Sequence, residues 1–133
     1  MTVKIGNAPV SWGVFYGDDP TNPDWSWVLD QVAETGFKWV ELGPIGFCPE
    51  DPERLGGEYE RRGLTLVGGF IFEALEDPQL ADYNREIVHR TGRLLQALGG
   101  RYFNIIPKIG DERIATAGRP DDSRRLDAGE WKV

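Results

Sequence analysis

The sequence has little sulfur and little imidazole. Cys48 is the only cysteine, which excludes an internal disulfide and a cysteine-based zinc site; a small, partly buried side chain is expected there rather than a nucleophile. The single histidine, His89, falls inside a predicted helix, away from any strand end, where a surface or helix-packing role is expected. The residues that carry chemistry must therefore be sought among carboxylates, amides, lysine and aromatic side chains.

Long apolar runs and basic clusters are also missing. No stretch reaches the roughly 20 apolar residues of a membrane span, and the first residues lack a secretory signal, so a cytoplasmic protein is expected. The formal charge is −7, and no Lys/Arg cluster is interleaved with aromatic residues, which argues against nucleic acid and membrane partners. Neither a Gly-x-Gly-x-x-Gly turn nor a phosphate-binding Gly-x-x-x-x-Gly-Lys motif is present. Small polar substrates remain open.

What the chain does contain is a repeated unit of helix, glycine and apolar strand. Strands are predicted at 3–9, 37–42, 64–73 and 102–106. Three helices between them should begin with an N-cap residue followed by proline, at Asn22 and Pro23, Asp51 and Pro52, and Asp77 and Pro78. They should end at glycines: Gly36, Gly63 and Gly99. The charged residues 111–126 are predicted as a long loop, and 127–133 as the start of a further helix.

Consecutive βα units predict an α/β fold with a parallel sheet, its helices shielding the sheet and any site at the carboxyl ends of the strands. The spacing alone suits either a barrel or an open doubly wound sheet. Polar residues recur at every predicted strand end, as in the active sites of (βα)8 barrels. They are Asn7 with Ser11, Glu41, Glu73, and Asn104 with Lys108.

Three segments resemble a known family. They are Ile-Gly-Asn-Ala-Pro-Val-Ser-Trp-Gly at 5–13, Val-Glu-Leu-Gly-Pro at 40–44 and Arg-Arg-Gly-Leu-Thr-Leu-Val-Gly-Gly-Phe at 61–70. Together with the strand-end pattern they resemble the N-terminal part of xylose-isomerase-like sugar isomerases and epimerases, nearest to inosose dehydratase-like proteins, over residues 3–110. The resemblance implies a (βα)8 TIM barrel that handles a sugar or cyclitol, by proton removal next to a carbonyl, with a divalent metal such as Mn, Mg or Co.

The chain departs from that family in length. A barrel of this kind needs roughly 250 residues, whereas four strands and three connecting helices, within residues 1–110, would make the N-terminal half. The family's metal ligands come chiefly from later strands, so no metal ligand is assigned to this chain. Half a barrel leaves strand edges and an apolar inner face uncovered. Self-association, or pairing with a missing second half, is therefore expected.

The strand-end residues have both functional and structural interpretations. Glu41 and Glu73 can serve as acid and base, and Lys108 can stabilise an enolate-like oxygen, or all three are simply solvated charges. Substrate hydroxyls and ring faces would be bound by Asn7, Ser11, Trp12, Phe70 and Asn104, with Phe72 as a further aromatic candidate. The alternative for the aromatic residues is the core.

Three functions remain open. The first, which we favour, is the N-terminal portion of a sugar or cyclitol isomerase, epimerase or dehydratase whose metal centre lies outside this chain. The second is a non-catalytic polyol-binding module. The third is a truncated half-barrel that acts only as an oligomeric scaffold.

Overall fold

The computed structural model describes residues 3–119 and 128–129. Its four strands are β1 (Gly6–Asn7), β2 (Trp39–Glu41), β3 (Thr65–Glu73) and β4 (Tyr102–Pro107). Its α-helices are α1 (Trp25–Glu34), α2 (Pro52–Arg61), α3 (Ala81–Ala97) and α4 (Asp111–Ala115), and two short 3-10 helices span Pro9–Trp12 and Pro78–Leu80. The strands form one sheet in the order β1-β2-β3-β4, and every neighbouring pair is parallel. The predicted α/β class and parallel sheet are confirmed.

All three crossover helices pack on one face of this sheet. The core cluster combines Leu29 of α1, Leu55 of α2 and Leu94 of α3 with Val40 of β2 and Leu66 of β3. Strands that follow one another in space as in sequence, with their helices on one side, are consistent with half of a barrel. The opposite face of the sheet, called the open face below, is not covered by α1, α2 or α3.

Asp24, and not Asn22, is the N-cap of α1. Its Oδ1 accepts hydrogen bonds from the backbone N–H groups of Ser26 (2.9 Å) and Trp27 (3.0 Å). The prediction of Asn22 followed by Pro23 was wrong because a carboxylate one residue past the proline satisfies two of the free N–H groups of the first turn. Asn22 instead donates through Nδ2 to the carbonyl oxygen of Tyr16, at 2.7 Å.

The other helix boundaries follow the predicted chemistry more closely. Asp51 accepts from the N–H of Arg54 at 2.7 Å, and Pro52 is the first residue of α2. Pro78 starts a 3-10 turn that runs into α3, so the α-helix begins three residues later than the proline. The three predicted terminating glycines all have positive φ angles: Gly36, Gly63 and Gly99.

Three segments differ from their predictions. β1 has only two of the seven predicted residues, because Pro9, which lacks an N–H group, starts a 3-10 turn. β2 is likewise shorter than 37–42. Residues 111–115, predicted as loop, form the short helix α4. Of the segment 127–133, predicted as the start of a helix, residues 128–129 form a turn and the others lie outside the described residues.

A β-bulge lies in the middle of β3. Val40 pairs with Leu66, but Glu41 pairs with Gly68, so Val67 is an extra residue in β3. The bulge shifts the alternation of side chains by one residue. Leu66 lies in the core, and Gly69, three residues later, faces Leu42 and Leu95 on the same helix-covered face. Glu41, the residue after the buried Val40, therefore lies on the open face.

Arg62, just after α2, ties that helix to α1. Its guanidinium donates to Asp30 Oδ1 at 2.6 Å and to Ser26 Oγ at 2.7 Å, both on α1, and it also pairs with Glu58. The Arg62 side chain is only 3% exposed. The two helices are therefore held by charge-assisted hydrogen bonds as well as by apolar packing.

Within the described part of the chain, none of the helices has both the length and the apolar character needed to span a bilayer.

Candidate functional site

Glu41 and Asn104 form the first cluster, on the open face. Asn104 Nδ2 donates to Glu41 Oε1 at 3.5 Å, the long end of the hydrogen-bond range. The two residues come from β2 and β4, which are separated by β3 and lie about 9–10 Å apart, and Asn104 pairs with Phe70, two residues beyond the partner of Glu41. Their side chains can approach because Gly68, the partner of Glu41 in β3, places no side chain between them.

The surroundings of Glu41 change its acidity. The side chain is half-buried, and burial raises the pKa of the Glu41 carboxyl because the charged form loses hydration. The hydrogen bond from Asn104 acts in the opposite direction but is the weaker of the two effects. The pKa of the Glu41 carboxyl is therefore shifted toward neutral pH, the direction that suits a general base.

The second cluster surrounds a pocket of about 230 Å³ at the carboxyl ends of β2 and β3, called the edge pocket below. The loop after β1, the loop after β2, the end of β3 and one face of α3 all contribute to its wall. Its polar lining includes Asp18, Glu73 and Arg90, and its aromatic lining is Phe15, Tyr16, Phe70, Phe72 and Tyr83. Two predicted site residues, Glu73 and Phe70, thus share one cavity.

Within the edge pocket, Glu73 is engaged by Tyr83 of α3. The Tyr83 hydroxyl donates to Glu73 Oε1 at 3.3 Å. Burial, then the negative charge of Glu73 and the hydrogen bond to it, and more weakly the charge of Asp18, raise the pKa of Tyr83. Arg90 is held by Glu50 through two hydrogen bonds, one of them 3.0 Å from Nε to Oε2. The guanidinium charge of Arg90 is therefore largely compensated from outside the pocket.

Lys108 lies beside the edge pocket. Its backbone N–H donates to the carbonyl oxygen of Glu73 at 2.8 Å, which fixes the residue at the end of the β3–β4 pairing. Its Nζ is 5.8 Å from the centre of the Tyr16 ring, within the range of a cation–π contact. The structure therefore brings Lys108 close to Glu73 along the backbone, and its ammonium to one wall of the pocket.

Asn7, Ser11 and Trp12 have structural partners. Asn7 Oδ1 accepts from the N–H of Ala8 at 2.8 Å and from Ser11 Oγ at 2.6 Å, so the pair closes the turn after β1. Trp12 is half-buried and packs against the core cluster. Their predicted role in substrate binding stays a prediction.

Cys48 is buried as expected, and burial raises the pKa of its thiol to about 12.

Sequence reasoning missed the residues that α3 and the first loop add to the edge pocket. Tyr83, Ile87 and Arg90 are spaced i, i+4 and i+7 in the sequence, which places them on one face of α3. The spacing is a signal that these side chains share one face, but it does not indicate that the face lines a pocket. Asp18 and Tyr16 lie in an irregular loop, where no periodicity indicates direction.

A divalent metal, which the family resemblance implies, does not fit the donor groups in this part of the chain. Among residues 3–119 and 128–129, no three His, Cys, Asp or Glu side chains come together as possible ligands. Glu41 has an amide for a neighbour, and His89 is exposed on α3. Comparison with protein-family models gave no match, and neither did a search of curated proteins.

Proposed function

We propose that this chain supplies the first half of the active site of a sugar or cyclitol isomerase, epimerase or dehydratase built on a (βα)8 barrel. The observation that supports the proposal best is the pair of Glu41 and Asn104 on the open face of a parallel sheet. Glu41 is the last residue of β2, and the carboxyl ends of parallel strands are where such enzymes place their reacting groups.

In this mechanism Glu41 acts as the general base. One carboxylate oxygen takes the proton from the carbon next to the substrate carbonyl, and the electron pair of the broken C–H bond moves onto the carbonyl oxygen as an enolate. The raised pKa of Glu41 strengthens its carboxylate as a base. Asn104, already within reach of Glu41, would donate its second amide hydrogen to a substrate hydroxyl and so orient the ring.

Two further residues complete the proposed chemistry. The Lys108 ammonium would balance the negative charge of the enolate oxygen, and Glu73 would pass a proton from solvent to carbon or to a departing hydroxyl. Both require a substrate that extends from the open face to the edge pocket, since Glu73 lines that pocket and Lys108 lies at its wall. The family resemblance supports the type of reaction, proton removal next to a carbonyl.

The same proposal requires a cover for the open face. Large apolar side chains of β4 are exposed: Tyr102 (66%) and Ile106 (40%) lie on the open face with Asn104, and Ile105 (58%) lies on the other face of the strand. A barrel would bury these groups against further βα units. We propose that a second half-barrel, or a second copy of this chain, covers them.

Exchange of the substrate C–H hydrogen tests the assignment of Glu41. The purified chain is incubated in D2O with a panel of ketoses and inososes, and loss of the signal of the hydrogen next to the carbonyl is followed by proton NMR. Exchange needs only the base and a group that polarises the carbonyl, so it can be seen without complete turnover.

Glu41→Gln should slow the exchange about 10²- to 10⁴-fold, the usual contribution of a general base. The control is Glu76→Gln, which alters an exposed carboxylate outside both clusters and should leave the rate unchanged. Exchange by wild type that exceeds the protein-free rate and is undiminished in Glu41→Gln would remove Glu41 from the mechanism.

A non-catalytic polyol-binding module is the second candidate. It is favoured by the edge pocket, where aromatic walls and an acceptor carboxylate, Glu73, suit a sugar ring without any need for proton transfer. Saturable binding of a cyclitol without C–H exchange would favour this function over the first.

A further inference from the structure

We propose that the edge pocket binds a small organic cation, an alkylammonium group, in addition to any role in sugar chemistry. The pocket combines several aromatic walls with two carboxylates, and its one guanidinium is compensated from outside. Aromatic rings and carboxylates together form the environment that proteins use to bind quaternary and primary ammonium ions.

The aromatic walls come from three separate parts of the chain. Phe15 and Tyr16 belong to the loop after β1, Phe70 and Phe72 to β3, and Tyr83 to α3. The face of an aromatic ring carries partial negative charge, so a ring that presents its face to the pocket attracts a cation. The structure already has one such contact, since the Lys108 ammonium lies 5.8 Å from the centre of the Tyr16 ring.

The charges favour the same class of ligand. Asp18, in the loop after β1, and Glu73, at the end of β3, both line the pocket, and the negative charges of both raise the pKa of Tyr83. Arg90 opposes this negative field, but its effect on Tyr83 is weaker than that of either carboxylate, and Glu50 pairs with it through two hydrogen bonds. An anionic ligand would thus face two carboxylates, whereas a cation would be attracted by them.

The size of the pocket limits the ligand. At about 230 Å³ it is smaller than the roughly 300–1,000 Å³ of pockets for drug-sized molecules. A trimethylammonium or aminoalkyl group fits this description, and a large peptide does not. The inference concerns binding alone, so it stands or falls independently of proton abstraction by Glu41.

Choline and its neutral carbon analogue, 3,3-dimethylbutan-1-ol, test the proposal directly. The two molecules have nearly the same shape and differ in charge, so isothermal titration of the full chain separates cation recognition from plain apolar binding. We expect saturable binding of choline and weaker or no binding of the alcohol. Equal affinity for both would overturn the proposal, as would the absence of choline binding up to roughly 10 mM.

Variants of the pocket then locate the site. Glu73→Gln should weaken choline binding about tenfold or more, because it removes a charged partner of the cation. Lys108→Met should tighten it about 2- to 5-fold, because it frees the face of Tyr16 and removes a competing charge. Glu76→Gln is the matched control and should leave the affinity unchanged.

Far-UV circular dichroism of each variant confirms that it is folded as the wild type is. Choline affinity that is the same in wild type, Glu73→Gln and Lys108→Met would show that binding occurs elsewhere and would overturn the assignment. Weaker choline binding by Glu73→Gln together with tighter choline binding by Lys108→Met supports the assignment, because a general loss of structure cannot move the two affinities in opposite directions.

Discussion

Alanine at Gly68 and alanine at Gly57 should change stability in opposite directions. The chemical change is the same, one methyl group, but the two sites differ in the space around the new Cβ atom. At Gly68 it would lie 2.3 Å from the carbonyl oxygen of Tyr102 and 2.9 Å from the Tyr102 Cβ. At Gly57, an exposed position of α2, it would meet none of the described atoms within 4 Å.

The contacts set the size of each effect. At Gly68 the obstacle is the backbone of β4, which cannot rotate away, so β4 must move at the first residue pair of the β3–β4 ladder. Overpacking of this kind costs about 1–3 kcal/mol, and one or two weakened ladder hydrogen bonds add about 0.5–1.5 kcal/mol each. Gly68→Ala should therefore destabilise the fold by roughly 1.5–6 kcal/mol. Gly57→Ala should stabilise it by up to about 1 kcal/mol, because alanine is the better helix former.

Urea unfolding followed by tryptophan fluorescence measures both changes in one assay. Five tryptophans provide the signal, and the shift of the midpoint at constant slope gives the change in the free energy of unfolding. A Gly68→Ala protein as stable as wild type would refute the close approach of β3 and β4. Midpoints that shift in the same direction for both variants would refute the argument from available space.

Three further predictions concern charge and association. Arg62→Met should lower the free energy of unfolding by about 1.5–3 kcal/mol, whereas Arg61→Met, which alters a 59% exposed neighbour, should cost at most about 1 kcal/mol; equal losses in chemical denaturation would contradict the special role of Arg62. The raised pKa of Glu41 means that its contribution to stability is present below the pKa of the unfolded chain and is lost as the pH rises through the folded pKa. The free energy of unfolding of Glu41→Gln relative to that of wild type should therefore be higher at pH 7 than at pH 4. The same difference between the two proteins at both pH values would disprove the shift. Size-exclusion chromatography with light scattering should give a mass above the 14.9 kDa of one chain, while a monodisperse monomer would rule out self-pairing.

The sequence was sufficient for the repeated unit but not for the length of each element. Asp51 with Pro52, and Gly36 and Gly63, act through local backbone chemistry, so their positions could be predicted from neighbouring residues. The length of β1 was overestimated because a run of apolar residues does not show how many of them pair with the next strand, and only Gly6 and Asn7 do. The N-cap of α1 was misplaced because two residues on either side of Pro23, Asn22 and Asp24, both have cap chemistry, and only the observed hydrogen bonds of Asp24 distinguish them.

The candidate site was predictable only as separate strand ends. Glu41 and Asn104 were each expected there, but their contact depends on the extra residue Val67 and on the bare surface of Gly68. Glu73 was expected to face a substrate, yet its hydrogen bond comes from Tyr83, a residue ten positions later on a helix. Contacts of this kind depend on how a helix packs on a sheet, and alternation along a strand carries no information about them.

The burial of Cys48 gives the chain a chemical reporter of its own motions. A thiol that is shielded from solvent, with a pKa of about 12, presents almost no thiolate to a labelling reagent while the loop before α2 stays in place. Modification must wait for a local opening, so its rate measures how often that loop and α2 leave the core. Because Cys48 is the only cysteine, every labelled molecule records the same event, and a ligand or partner that holds this region closed would be detected by a slower reaction.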